Sequence, residues 1–547
     1  MCRAISRFVA VVLALLVPVP AAPQSETRPE RSPILVTFDL HMDPMPGQGE
    51  RRRQTYEDWR DAAEWLLDVA EKRGAKLSFT TVGEFAELAL EDPERAFPLI
   101  RRLYESGGSV GTHSHNRIQD APFRWSEIPR GGSAEDAEQV WHDDISMVDR
   151  LVAAVFDLDD PKHVRAINNL RGTHVPSDAA LRQGLFKKYG LSFCQAGPGE
   201  DFVGLFHHYL FHPFRASAKN EIAEDRSSPM IVTQAGPVLG QVGVHKGVEQ
   251  DMSLPRVQAE FLVELLAWLH DAEAGLPDRV WCFGWAVHGS DVTERGVSRE
   301  WVEPALDWFS RHFVGKSIGG RTVARWSSYQ EECESYLAWE KANPDLESRD
   351  YDGRARAWDA YPWPTVAAAA YLWDATYAKA LRSDETAQAH LLEAADPLGG
   401  PYPIVVAFPT GRGAARLDLA AVEAGKWTRI DAASGPGVAG DAAALEIPTN
   451  GAIFIPTRAC VSLEQQQERI DEAFARELPR FGPGAGGPGV GKGKGQQRGG
   501  GTARLDRNGD GKVTREEFPG KDAEFRRLDQ DGNDELDDAE LEKGRPR

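Results

Sequence analysis

The run Ile34-Leu35-Val36-Thr37-Phe38-Asp39-Leu40-His41-Met42-Asp43 constrains the fold more than any other stretch. Its apolar and β-branched residues suit a strand covered on both faces, yet its second half carries three polar groups. Side chains alternate along an extended segment, so Asp39, His41 and Asp43 project from one side. In a β/α barrel, the C-terminal ends of the strands are where active-site side chains collect. A second pair has the same spacing: Gly108-Ser109-Val110-Gly111-Thr112 leads into His113 and His115. If the two strands are neighbours, the imidazoles and carboxylates converge into a ligand set for zinc or another divalent transition metal. Taken singly, a histidine at a strand end often only bonds backbone, and an aspartate there often caps a turn. The recurrence of the spacing favours a metal or catalytic site.

A chain of 547 residues with 41% hydrophobic content has material for two or three cores. Its net charge of -21 argues against a nucleic-acid surface, which needs a basic face. Residues 1–23 carry Arg3 and Arg7, then an apolar stretch over 8–17, then Pro-Val-Pro-Ala-Ala. This reads as a secretory signal peptide cut near Ala22, too short for a membrane span, so the mature protein is expected outside the cytoplasm or in the periplasm. Cys194, Cys282, Cys333 and Cys460 lie far apart and lack CxxC spacing. They fit either disulfides or small buried hydrophobes, the second being preferred.

From Ser32 the chain alternates strand-like and helix-like segments, which implies a parallel sheet with crossover helices. Residues 55–72 form a predicted helix with Trp59, Ala63, Leu66, Leu67 and Ala70 on its apolar stripe, stopped by Gly74. Further helices are expected over 97–105, around Trp141 to Val155, and over 179–188, 257–269 and 301–313. Strands are expected over 76–82, before His113, at 169–171, over 191–194 and over 280–287. Strand ends at Asp39, His113, Arg171 and His288 suggest a barrel with one active face.

These residues, in this order, resemble the polysaccharide deacetylases of carbohydrate esterase family 4. The resemblance rests on Thr37-Phe38-Asp39, on Gly111-Thr112-His113-Ser114-His115-Asn116-Arg117, on Leu170-Arg171-Gly172-Thr173-His174-Val175-Pro176 and on Ala286-Val287-His288. It implies a distorted (β/α) barrel over residues 32–343 and metal-assisted removal of N- or O-acetyl groups from a glycan. By carry-over, Asp39 is the general base, His113 a metal ligand, Arg171 the group that orients the base and His288 the general acid. The family's second aspartate is replaced here by Leu40, and its histidine four residues after the first by Arg117. The expected replacements are His115 with His41 or Asp43. Two other readings stay open: a barrel that binds a glycan without cutting it, and an amidohydrolase acting on a small non-sugar substrate.

Residues 344–461 read as an accessory domain, with an Ala-rich helix over 365–381 followed by short strands in a β-sandwich-like arrangement. Residues 462–502 read as a polar helix and a Gly-rich flexible linker. Residues 503–547 carry two calcium loops of EF-hand spacing and are expected to fold as a helical pair. In the first, Asp506, Asn508 and Asp510 supply oxygens, Lys512 a backbone carbonyl and Glu517 closes the site. The second uses Asp529, Asp531, Asn533, Glu535, Asp537 and Glu540, with Asp534 where glycine is usual, which predicts weaker binding. Calcium in these loops, a transition metal in the barrel, a glycan substrate and a calcium-dependent docking partner for the tail are the expected cofactors and partners.

Overall fold

The computed structural model describes residues 31–116 except 48, then 127–128, 133–172, 178–195, 212–219, 224–233, 238–245 except 241, 248–251, 253–273, 277–346, 371–372, 375–394, 401–410, 415–431 and 438–460 except 450; in the tail it describes 465, 513–514, 533 and 535–536. The expected signal peptide, the Gly-rich linker and, but for residue 465, the helix over 462–478 lie outside these residues. The chain divides into two units, Met1–Gly489 and Val490–Arg547.

The first unit is built on β1 (Ile34–Met42), β2 (Leu77–Thr81), β3 (Ser109–His113) and the short pair β4 (His115–Asn116) and β5 (Glu127–Ile128). There follow β6 (Leu170–Gly172), β7 (Phe193–Gln195), β8 (Phe214–Arg215), β9 (Ile231–Thr233), the hairpin β10 (Val242–His245) and β11 (Val248–Asp251), and β12 (Cys282–His288). A second hairpin, β13 (Ser317–Ile318) and β14 (Arg321–Thr322), precedes β15 (Ala324–Trp326). Nine strands make one curled sheet in the order β12-β1-β2-β3-β6-β7-β9-β8, with β15 also on β1. All its pairings are parallel except β8 with β9. The ladder does not close into a continuous barrel among the described residues, but Val238, just past β9, bridges Ala286 of β12. β1 is second in this order, paired with β12 along one edge and with β15 and then β2 along the other.

The crossovers are helical: α1 (Glu50–Glu71), α2 (Gly83–Glu91), α3 (Pro93–Glu105), α4 (Ala134–Phe156), α5 (Pro161–Ile167), α6 (Ala179–Tyr189), α7 (Leu254–Glu273) and α8 (Arg299–His312). α1 buries Tyr56, Trp59, Ala63, Leu66, Leu67 and Ala70, the stripe its periodicity predicts. α4 begins at a Ser133–Asp136 capping box, and α6 runs from a capping Asp178 to the left-handed Gly190. Strand alternation then sorts β1 cleanly. Phe38, Leu40 and Met42 join the core shared with the helices, whereas Leu35 faces a smaller cluster with Leu170, Phe193, Ile231 and Cys282. A final helix, α9 (Tyr329–Ala342), packs Tyr329, Cys333 and Tyr336 into that smaller cluster. Each fully buried Leu, Ile, Val, Phe or Met of these clusters stabilises the fold by roughly 1.5–3 kcal/mol relative to exposure. Cys194, Cys282 and Cys333 are buried free thiols and Cys460 is partly buried, as the packing reading expects.

The C-terminal part of this unit is β-rich. It comprises β16 (Thr376–Ser383), β17 (Ala387–Ala394), β18 (Tyr402–Pro409), β19 (Ala415–Leu417), β20 (Lys426–Asp431), β21 (Val438–Asp441), β22 (Leu445–Ile447) and β23 (Ala452–Pro456). Six form a sheet in the order β16-β17-β18-β23-β20-β21, and β19 pairs with β22. The Ala-rich helix expected through residue 381 is corrected over 376–381, where the chain is a strand. Tyr377 is buried on one face of β16 while its neighbours Thr376, Ala378, Lys379 and Ala380 stay exposed, an edge pattern that alanine content obscures. The central strands of this sheet are buried on both faces: Ile404, Val406 and Phe408 join the core of the curled sheet, and Val405, Ala407 and Phe454 form another core with Leu417 and Ile447. In the second unit, β24 (Val513–Thr514) pairs antiparallel with β25 (Glu535–Leu536).

Candidate metal centre

His41, Asp43 and His113 each offer a donor atom, and these atoms lie within 4.8 Å of one another. β1 carries His41, Asp43 follows one residue past its end at the same spacing of two, and β3 ends on His113. Nε2 of His113 stands 3.6 Å from Oδ1 of Asp43, close to the roughly 3.4 Å edge of a tetrahedral zinc shell with bonds near 2.1 Å. The His41 and His113 rings stack at 5.0 Å. Two imidazoles and a carboxylate with both histidines buried are the donor chemistry of an open zinc site, so the residues present fit such an ion. His115 begins β4, but its side chain is outside the described residues.

The site has two flanks. On one, His288 ends β12 directly beside His41, the two being register partners. Its Nδ1 is 2.7 Å from Oδ2 of Asp291, which leaves Nε2 facing Asp43 Oδ2 at 3.7 Å. Burial works against the charged ring, but the carboxylates of Asp43, Asp291 and Asp39 outweigh it and raise its pKa above the usual histidine value. A raised value suits a proton donor near neutral pH.

On the other flank lies Asp39, fully buried. Its Oδ2 meets Nδ1 of His41 and Nε2 of Gln195, each at 3.1 Å. Among the described residues its Oδ1 receives no hydrogen bond. Burial holds its pKa well above the ordinary carboxylate value, while the Gln195 hydrogen bond and the nearby His288 pull the other way. Gln195 also shares a hydrogen bond with the Tyr329 hydroxyl. Deeper still, Glu332 is hydrogen-bonded to Thr37 at 2.9 Å and to Thr233, and burial pushes its pKa up to about 8.

Arg171 is the correction to the sequence reading. It was expected to orient Asp39; instead it stacks its guanidinium 4.3 Å above Trp141 and bonds Ser114, with Asp144 at 3.9 Å. The cause is strand parity. Leu170 faces the inner cluster and Arg171 therefore points to the helix side, in register with Thr112 rather than with His113. Gly172, not Arg171, pairs with His113 and faces the site. A Cβ there would stand 2.8 Å from Gln195 Oε1 and 3.1 Å from His113 Nδ1.

The structure thus gathers Asp39, His41, Asp43, His113 and His288 and sends Arg171 elsewhere. Gln195, Gly172, Asp291 and Tyr329 were missed. Asp291 had a signal, a carboxylate three residues past the predicted acid; Gln195 falls one residue beyond its predicted strand. In the tail, Asp506, Asn508, Asp510, Lys512, Glu517, Asp529, Asp531, Asp537 and Glu540 lie outside the described residues. Of the remaining predicted ligands there, Asn533 is exposed and Glu535 is described only as part of β25.

No family model matches the chain, and neither does any curated protein. Similar solved structures include a probable polysaccharide deacetylase from Pseudomonas aeruginosa, at 12% identity and TM-score 0.35 over 57% of this chain and 93% of that one. Another is the peptidoglycan deacetylase PdaC from Bacillus subtilis, at 11% identity and TM-score 0.24 over 58% and 99%. A third is a 4-alpha-glucanotransferase from Thermococcus litoralis, at 11% identity and TM-score 0.33 over 63% and 52%. The activities in these names belong to those proteins.

Proposed function

We propose that the chain is a metal-dependent hydrolase that removes acetyl groups, as N-acetyl amide or O-acetyl ester, from a glycan. The observation that carries this reading is the convergence of His41, Asp43 and His113 beside a buried carboxylate and a carboxylate-backed imidazole. The order of motifs along the sequence, which resembles that of the polysaccharide deacetylases, supplies the acetylated glycan as substrate class. His41, Asp43 and His113 hold the ion, with zinc the best match to two imidazoles and one carboxylate. When bound, such an ion polarises an acyl carbonyl and lowers the pKa of water. Asp39 Oδ1, which has no hydrogen bond among the described residues, takes the proton from the attacking water. His288, its Nδ1 held by Asp291, delivers a proton from Nε2 to the departing nitrogen or oxygen.

The tail supports a second, separate element of the reading, a paired calcium module. The antiparallel ladder of the second unit joins Val513 to Leu536, the eighth positions of the two loops with calcium-ligand spacing, and so sets these two stretches side by side. Calcium there serves structure or docking. Residues 1–23 support export, where calcium is abundant.

The test is zinc titration of the full chain together with acetate release from N-acetylated chitooligosaccharides and peptidoglycan. Stoichiometric zinc, with acetate release abolished in Asp39→Asn, is expected. A chain that binds no transition metal and releases no acetate is instead a glycan-binding protein, and release from simple amides alone points to a non-sugar substrate.

A further inference from the structure

Resting on the metal-centre reading above, we infer that Gln195 is a positioning residue for the metal, acting through Asp39 and His41. Three residues form a chain in space that the sequence keeps far apart. Nε2 of Gln195 donates to Oδ2 of Asp39 at 3.1 Å, and the same oxygen meets Nδ1 of His41 at 3.1 Å. An amide Nε2–H only donates, so Gln195 makes Oδ2 the accepting oxygen of Asp39. The same accepting oxygen faces Nδ1 of His41, so Nδ1 carries the hydrogen and Nε2 keeps the lone pair for an ion. Gln195 thereby fixes both the tautomer and the ring plane of His41, the role that carboxylates and carbonyls behind a metal-bound histidine play generally.

The position is built rather than incidental. Gln195 ends β7, is buried, and is held from a second direction by the Tyr329 hydroxyl of α9. The facing residue on β6 is Gly172, and any larger side chain there would press at once on Gln195 Oε1, Thr80 Oγ1 and His113 Nδ1. Glycine at that point leaves the Gln195 amide and the His113 ring room to sit side by side. The neutral amide stands where the sequence reading placed the guanidinium of Arg171, so the carboxylate is oriented by an amide rather than by a guanidinium.

The experiment measures zinc dissociation constants of the full-length protein by competition with a chromophoric chelator, alongside thermal unfolding of the zinc-free protein. Gln195→Met keeps length and packing but removes the N–H. It is expected to weaken zinc 10- to 100-fold while the zinc-free Tm stays within a few degrees, in line with the usual cost of losing such a partner. Gln195→Leu, which also lacks the N–H but fills the space differently, is expected to weaken zinc similarly and covers the case in which Gln195→Met does not fold. The cobalt(II) form of either variant should show an altered visible spectrum. Zinc affinity within twofold of wild type in the folded variants overturns the role of Gln195 and leaves the metal centre standing. A wild-type protein that binds no zinc overturns the metal centre itself.

Discussion

His41 and His288 lie side by side on neighbouring parallel strands, their rings meeting edge to face at 4.3 Å. They nonetheless answer to different carboxylates, His41 Nδ1 to Asp39 and His288 Nδ1 to Asp291. Adjacent imidazoles backed by separate acids can take separate work, one holding an ion and the other moving a proton.

His288→Ala is expected to lower kcat for an N-acetyl amide by 10²- to 10⁴-fold, the range for losing a positioned general acid. For an aryl acetate, whose phenolate leaves without help, the loss should be far smaller. Asp291→Asn should fall between wild type and His288→Ala on the amide, because the ring remains but its support weakens. Steady-state kinetics on the two substrates measure the contrast. Equal losses on both would remove His288 from leaving-group protonation.

Arg171→Met is expected to act on stability rather than on chemistry. Its removal leaves Asp144 buried beside Ser114 without the guanidinium, a change that costs about 3–5 kcal/mol. Burial already pushes Asp144 up to about 7, so the orphaned carboxyl should take up a proton and recover part of that loss. Denaturant melts should show the destabilisation. Folded Arg171→Met should retain zinc affinity, whereas a direct role on Asp39 would lower it.

Two buried sites bend stability with pH in opposite directions. Burial pushes Glu332 up to about 8 from an ordinary value of 4.5, so its contribution is complete below about pH 4.5 and is lost as pH rises through 8. Burial between α8 and the β16–β17 edge pulls His312 down to about 4 and His390 down to about 3. Their contribution is present above pH 6.5 and is lost as pH falls through 4 and then 3. Stability should therefore peak near pH 6.5. Glu332→Gln should flatten the limb between pH 6.5 and 8 and leave the slope below about pH 4.5 unchanged, as read by Tm from pH 3 to 9.

Calorimetric titration of the full chain with calcium is expected to show two sites, the second weaker because Asp534 occupies the turn where glycine is usual. Asp506→Ala should abolish the tighter site, and Asp534→Gly should tighten the weaker one. A single titration unaffected by either variant would refute the paired-loop reading.

The sheet was legible where burial and alternation act together. β1, β3 and β12 were placed to within two residues because apolar runs end there on polar groups, and three of the four expected ligand candidates converge. Arg171 was misassigned because its neighbour in space depends on register, which packing sets; one residue of parity moved it to the helix side. Gln195 carried no local mark, since its partner Asp39 is 156 positions away. The strand over 376–383 was hidden by alanines, whose helix propensity loses to pairing with β17.

β18 lies between two hydrophobic layers, Ile404, Val406 and Phe408 turned toward the barrel and Val405 and Ala407 turned away. What sequence composition marks off as an appendage is therefore a wall shared by two rooms. A truncation after residue 343 would strip that wall and leave the outer helices of the barrel with a bare greasy flank, prone to self-association. Expression boundaries for the nine-stranded sheet belong beyond Cys460.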